Sequence, residues 1–224
     1  LSAPIDLLGK KKSPCLIYNH GGNRSYGALK NVETTYYAYQ FHTICVASNY
    51  RGCGKSEGTD AFGGDDVHDV IHLLDLCEKL NSVDTKNINM FGVSRGGMMT
   101  YETLREDRRI HKAVVVAGVA DCTMNYEERE DMRSLLTELI GGTPEQLPEE
   151  YSRRSAVAWA DEINTPLLIF HTTGDDKVSI KQADKLVKQL KKNQKDYEYV
   201  TFESNIHGDL RKTDVEKIRK WLQT

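Results

Sequence analysis

Six short runs of apolar and β-branched residues punctuate this chain, and helical spacing fills the gaps between them. The runs are residues 15–18, 43–48, 88–92, 113–117, 167–170 and 197–202. Four are almost continuously apolar, the pattern of strands covered on both faces. Between the runs, Val67, Val70, Ile71, Leu74 and Cys77 recur at three- and four-residue steps behind Asp65 and Asp66, which read as helix-start signals. Ala183, Leu186, Val187 and Leu190 repeat that spacing, and Val215, Ile218, Trp221 and Leu222 mark a last helix. Weaker helical patterns cover 28–39 and 95–105. Strand and helix in alternation predict an α/β fold: a mostly parallel central sheet with helices on both faces. The alternation pauses over 118–165, which predicts a small helical, cap-like insertion within one domain spanning 1–224. That insertion reads as a helix over 125–139, broken by Pro144 and Pro148, and a second short helix over 150–159.

A chain of 224 residues can bury a core without a disulfide or metal staple. Its net charge of −3 lacks the basic surplus that phosphate backbones require, so a nucleic-acid partner is not expected. The lysines at 10–12 and between 188 and 195 read as solvated faces. No apolar stretch is long enough to cross a bilayer. The five cysteines are odd in number and widely spaced, with no Cys-x-x-Cys pair. Cys15, Cys45 and Cys77 lie in apolar stretches as small hydrophobes, which points to a reducing, cytoplasmic setting. The chain opens on Leu1 with no signal-like run, so a trimmed or fragmentary start is expected.

The run 88–92 leads straight into Gly92-Val93-Ser94-Arg95-Gly96 and then a helical pattern. Strand, Gly-x-Ser-x-Gly and helix together make a nucleophile elbow, a turn so tight that the serine is strained and its hydroxyl projects from the strand end. The Arg95 amide would then face a forming oxyanion. A plainer reading makes Ser94 a helix cap. A serine hydroxyl needs a base, and the base needs an orienting carboxylate, in the chain order Ser, acid, His. The run 167–170 ends in His171-Thr172-Thr173-Gly174-Asp175-Asp176, and 197–202 ends in a segment holding His207. Asp175 or Asp176 is the candidate acid and His207 the candidate base, both beyond strand C-termini where open α/β sheets place their sites. His171 precedes the acid, and His111 precedes a strand and so falls at the opposite edge. Gly-Asp-Asp is also ordinary turn chemistry.

Upstream, the first run ends in His20-Gly21-Gly22-Asn23, a His-Gly-Gly loop of the kind that brings main-chain amides to an oxyanion. Gly22 is the first choice as second donor and Asn23 the alternative, with Asn23 also placed to touch substrate. The stretch Asn49 to Ser56 ends in Gly-Lys-Ser like a phosphate-binding loop, but Asn49 stands where the first glycine is required and no helix opens at Ser56. It reads instead as a loop bordering the site, with Tyr50 or Arg51 touching substrate. No cofactor and no metal are implied.

Taken together, these residues resemble the catalytic domain of the prolyl oligopeptidase (S9) family of serine peptidases. The likeness rests on Asn49-Tyr50-Arg51-Gly52 with Gly54, on Phe62-Gly63-Gly64-Asp65-Asp66-Val67, on Gly92 to Met98, and on Arg154-Ser155-Ala156 with Trp159, Ala160 and Pro166. It runs from about Cys15 to Trp221. The family pattern His-Gly-x-x-Asp-x-x-Val falls on His171, Asp175 and Val178, so the resemblance favours Asp175 as the acid. Thr172 departs from the usual glycine, and the family's large β-propeller and first strands have no counterpart here. The resemblance implies a Ser94–His207–Asp175 triad cleaving an ester, amide or short peptide through an acyl-enzyme. The expectation is a small-substrate carboxylesterase or S9-like peptidase, and the rival is a binding protein on the same fold.

Overall fold

The computed structural model describes residues 1–7, 9 and 12–223. Lys10 and Lys11 lie outside the described residues. Six strands form one sheet: β1 (Ser13–Asn19), β2 (Ile44–Val46), β3 (Val83–Val93), β4 (Ala113–Val116), β5 (Leu167–Thr172) and β6 (Tyr197–Phe202). Their order is β2-β1-β3-β4-β5-β6, and every neighbouring pair is parallel. The chain moves outward from β1 to β2, then returns to β3 on the other side of β1. That reversal puts a crevice between the C-terminal ends of β1 and β3, the position where open parallel sheets hold ligands.

Helices cover both faces. On one face, Ile17, Ile88, Met90, Val115 and Ile169 pack against α2 (Val67–Lys79), α3 (Arg95–Glu106) and α7 (Ile180–Lys192). Their strand neighbours Leu16, Phe91, Val114, Leu168 and Phe170 point the other way, onto α1 (Asn31–Phe41) and α8 (Lys212–Gln223). Alternate residues therefore serve two cores, which is why the strands read as continuous apolar runs. A smaller cluster of Phe62, Met98, Val119, Leu136 and Val178 is separate from both.

The stretch 118–165 departs from expectation in detail. The single helix expected over 125–139 is two, α4 (Cys122–Glu128) and α5 (Glu130–Ile140), because Arg129 leaves the helical region at φ −113° and ψ 80°. Pro148 does not break a helix; it opens α6 (Pro148–Arg153) in the first turn, where its missing N–H costs nothing. The rest of the second expected helix holds a 3₁₀ turn, Ala156–Ala158, and another, Ala160–Glu162, follows it.

Helix α3 is buried continuously from Arg95 to Leu104, and it carries a carboxyl group inward. Glu102 Oε2 accepts the Gly64 amide at 3.0 Å, while Oε1 is sealed off without a hydrogen-bond partner. Burial pushes the pKa from 4.5 up to about 8, against the opposing pull of Arg154 and the Gly64 amide. The folded state thus prefers the neutral acid. That contribution is whole below the unfolded pKa and is lost as pH rises through about 8. We expect Tm to fall by roughly 5 °C between pH 6 and pH 9, and Glu102→Gln to flatten that slope in scanning calorimetry. An equal slope in the variant would remove Glu102 as its source.

Candidate active site

Ser94 sits between β3 and α3 at φ 58° and ψ −123°, a backbone conformation that a side chain makes costly. The turn is held by close approach. A Cβ on Gly96 would lie 1.9 Å from the Asn19 carbonyl oxygen, and one on Gly92 would lie 2.2 Å from the Gly96 oxygen. Main-chain bonds complete the clamp: the Ser94 amide donates to Val116 at 3.0 Å, and the Ser94 carbonyl accepts from Gly97 at 2.9 Å and Val119 at 3.2 Å. Ser94 makes no side-chain cap bond to α3, so capping is not what its hydroxyl does.

The end of β1 lies against this turn, with Gly21 so placed that a Cβ would be 3.1 Å from Ser94 Cβ. In the loop that follows, the Asn23 amide donates to the Tyr26 carbonyl at 3.0 Å and is therefore engaged. The Gly22 amide has no protein acceptor among the described residues, and Gly22 at φ 79° leaves no room for a side chain, whose Cβ would meet Tyr26 O at 2.1 Å. As first residue of α3, Arg95 has an amide with no intrahelical acceptor.

The Asp175 side chain is fully buried and that of His207 partly so. His207 Nδ1 donates to the two carboxylate oxygens at 2.8 and 3.0 Å, and the Lys177 and Val178 amides donate to Oδ1 at 2.9 and 3.0 Å. Burial opposes ionisation of Asp175, but the His207 bond and these amides outweigh it and hold its pKa below the usual carboxylate range. With Nδ1 donating, Nε2 is left as the acceptor. Asp176 is mostly exposed and pairs with Lys177 instead. His171 packs behind the acid: its Nε2 lies 2.8 Å from the Val178 carbonyl and 3.6 Å from Asp175 Oδ2, and burial lowers its pKa. Thr172 puts its departure from the family pattern to use, since its hydroxyl donates to the Ile206 carbonyl beside His207 at 3.2 Å.

Ser94, His207, Gly22, Asn23 and Arg95 line one cleft of about 700 Å³. Among the described residues no hydrogen bond joins Ser94 Oγ to His207. Such contacts are often long in unliganded enzymes and tighten on substrate.

Tyr50 and Arg51, expected to touch substrate, are both turned to protein partners. Tyr50 is buried; its ring stacks on His20 at 4.4 Å and its hydroxyl donates to the His20 carbonyl at 2.9 Å, bracing the Gly-Gly loop from behind. Arg51 is turned to Asp69, with Nη2 2.7 Å from Oδ1. Neither lines the cleft. The residues that the sequence did not reveal lie beneath the elbow. The Arg95 side chain is buried, binds both oxygens of Asp60 at 2.7 and 3.0 Å, and reaches Asp66 at 2.8 Å. Burial resists ionisation of Asp60, yet Arg95 and the Arg24 and Phe62 amides bring its pKa down to about 2. Asp66, with Oδ1 lacking a hydrogen-bond partner, goes the other way because burial dominates. Asp66 is thus an ion-pair partner more than a helix-start signal; the Asp-Asp-Val segment was its only trace in sequence. Among the described residues no group of three or more His, Cys, Asp or Glu is placed to hold a metal ion.

A strained serine at a strand-to-helix turn, with an Asp–His pair on the same edge of a parallel sheet, defines an α/β-hydrolase. The chain belongs to the prolyl oligopeptidase family, whose model matches residues 31–224, and by that membership it is an S9-type serine peptidase. It is 31% identical over 211 residues to the uncharacterized peptidase YtmA of Bacillus subtilis, covering 92% of this chain and 82% of that one. It is 29% identical over 196 residues to dipeptidyl aminopeptidase B of Saccharomyces cerevisiae, covering 80% of this chain and 23% of the relative. Its fold is shared with the acylaminoacyl peptidase of Pyrococcus horikoshii, at a TM-score of 0.78 and 22% identity over 96% of this chain and 36% of the other. The chain therefore spans most of YtmA but about a quarter to a third of the other two.

The buried ion cluster yields a graded expectation. Asp60→Ala removes two of the buried Arg95 side chain's carboxylate contacts, leaving it Asp66 alone, and should cost about 3 kcal/mol in urea unfolding. Asp69→Ala breaks a partly exposed pair and should cost about 1 kcal/mol or less. Equal losses would mean that burial does not set the worth of these pairs.

Proposed function

We propose that this chain cleaves amide and ester bonds in short peptides and other small acyl substrates, through an acyl-enzyme on Ser94. The observation that carries the reading is the strained Ser94 opening on a cleft that His207 also lines, with His207 Nδ1 held by a buried Asp175. In this reading His207 Nε2 takes the Ser94 proton as Oγ attacks the carbonyl carbon. The Gly22 and Arg95 amides bind the oxyanion, each worth about 3 kcal/mol in comparable sites. His207 then gives the proton to the leaving amine or alcohol, and a water repeats the sequence to release the acid. Asp175 stays ionised and fixes the tautomer.

Substrate size follows from what covers the cleft. Helices α4 and α5, with Arg129 between them, supply Asn125, Arg129, Asp131 and Met132 to its wall, so residues 118–165 act as a small cap on one side. A cleft of this size suits a substrate of a few residues. Esters of small acids fit the same chemistry with a better leaving group, so carboxylesterase activity accompanies the peptidase activity. No helix among the described residues is long and apolar enough to cross a membrane. Five free, buried cysteines suit a reducing compartment such as the cytoplasm.

The test is turnover of aminoacyl amides and short-chain p-nitrophenyl esters by wild type and Ser94→Ala. We expect Ser94→Ala to lose roughly 10⁴-fold or more in kcat on both, with its fold intact by circular dichroism. Full activity in the variant would refute the mechanism. Wild type that neither turns over these substrates nor reacts with a fluorophosphonate would favour a binding protein on this fold.

A further inference from the structure

The cleft wall holds one polar group that neither the fold nor the triad uses. Helix α4 buries Cys122 and Asn125, three residues apart on one face, so position 125 is a place for an apolar side chain. Asparagine is also a poor helix former. Asn125 is nevertheless only 3% exposed. Its main chain is spent within the helix, the amide donating to Asp121 O at 2.9 Å and the carbonyl accepting from Arg129 at 3.2 Å. Its carboxamide makes no hydrogen bond among the described residues. The same atoms are absent from the sealed, unpartnered polar atoms of the interior, so they open on the cleft that Asn125 lines.

The other buried carboxamides among the described residues each make at least one hydrogen bond, Asn89 through its Nδ2 to Asn87 Oδ1 at 2.8 Å. Gln182 Oε1 accepts the Ala120 and Asp121 amides at 3.1 and 3.2 Å, and Asn19 Nδ2 donates to Thr100 at 2.9 Å. An unpaired carboxamide at an apolar position is costly unless something arrives to pair with it. Its surroundings say what arrives. Phe62, Val119, Met132 and Val178 share the cleft wall and offer apolar contact. The charges at the rim are engaged with protein: Arg129 binds Asp131 and the Lys177 carbonyl. Asn125 itself is neutral and presents both donor and acceptor.

The β4–α4 connection also fixes which part of the substrate comes here. Val119, six residues before Asn125, donates its amide to the Ser94 carbonyl, so this wall abuts the nucleophile's own turn. The acyl group is the part that stays bonded to Ser94 once the leaving group departs.

Resting on the acyl-transfer reading above, we infer that Asn125 selects the acyl-side residue of the substrate, favouring a medium-length neutral side chain that ends in a hydrogen-bonding group, with the glutamine carboxamide its best complement. Glutamine supplies an acceptor for the Asn125 NH₂ and a donor for its oxygen, and its methylenes lie along the apolar wall. Methionine has nearly the same length and shape but leaves Asn125 unpaired. A site built to hydrogen-bond a substrate group discriminates strongly against the analogue lacking it.

The experiment compares kcat/KM for matched coumarin amides of glutamine and methionine, each with a free and an acetylated α-amine, in wild type, Asn125→Leu and Asn125→Ala. The readout is the Gln:Met ratio, which a merely structural loss would not move because it lowers both substrates together. We expect wild type to prefer glutamine by about 10-fold or more, and Asn125→Leu to invert the preference. Asn125→Ala gives the same readout, with the preference abolished, should the leucine variant not fold. An unchanged ratio in a folded variant, or no glutamine preference in an active wild type, overturns the role of Asn125 alone. Folded wild type that resists fluorophosphonate labelling and cleaves none of the four amides overturns the acyl-transfer reading, and this assignment with it.

Discussion

The contact on which the rest of this molecule depends is the approach of Gly96 to the end of β1. A single methyl group there would sit 1.9 Å from the Asn19 oxygen. Because Gly96 has no such group, the first turn of α3 lies directly on the last residues of β1, and the turn between β3 and α3 has one shape available. That shape sets Ser94 at φ 58°, a cost of about 1–3 kcal/mol in structures of this kind. Three main-chain bonds to and from Ser94 hold it there. The same contact brings the Gly21-Gly22 loop beside Ser94, so the strain, the serine and an open amide have a single origin. The reversal of strand order at β1 makes this meeting possible, since it places β1 and β3 side by side although about 70 residues of chain separate their ends.

Beneath the turn, Arg95 converts a local strain into a long-range tie. Its backbone belongs to the elbow, while its side chain binds Asp60 and Asp66 between the rings of Tyr50 and Phe62, with centroids 5.0 and 4.8 Å from the guanidinium carbon. Burying such a cluster is expensive, and an apolar replacement of the same volume is often as stable. What the ions supply here is direction. The two carboxylates fix where the loop from Tyr50 to Asp66 crosses the elbow, so Phe62 reaches the cleft wall while Tyr50 turns beneath His20.

Which parts of this were legible in the sequence follows from the range of the interactions involved. The sheet was legible because strands buried on both faces are written as apolar runs, and Tyr197–Phe202, at the sheet edge, kept boundaries that β-branched and aromatic residues mark locally. Ser94, Asp175 and His207 stood out in the sequence because the proposed chemistry demands an order along the chain, and the structure brings all three to one edge of the sheet. Asp66 was not. Two acids before an amphipathic run look like a helix start, and nothing local says that one of them is paired with an arginine 29 residues on. Tyr50 and Arg51 sat in the right loop, but which side chain faces the cleft is set by His20 and Asp69, residues remote in sequence. Asn125 carried no signal, because an asparagine in a short polar helix looks solvated until the cap folds over it.

The acid half of the site is built to a different standard of rigidity from the base. Asp175 is sealed, accepts from three partners, and has His171 packed against it. His207 is 23% exposed and belongs to a loop that Thr172 anchors through the Ile206 carbonyl. Thr172 is the one departure from the family pattern at this loop, and its hydroxyl supplies an anchor that a glycine cannot. Asp175 is held by three hydrogen-bond partners and the Ser94 backbone by a strained turn, so in the proposed mechanism the adjustment toward Ser94 Oγ falls to the His207 imidazole and its loop. On the proposed mechanism, alignment of His207 with Ser94 therefore rests on how the loop after β6 is tied to the end of β5.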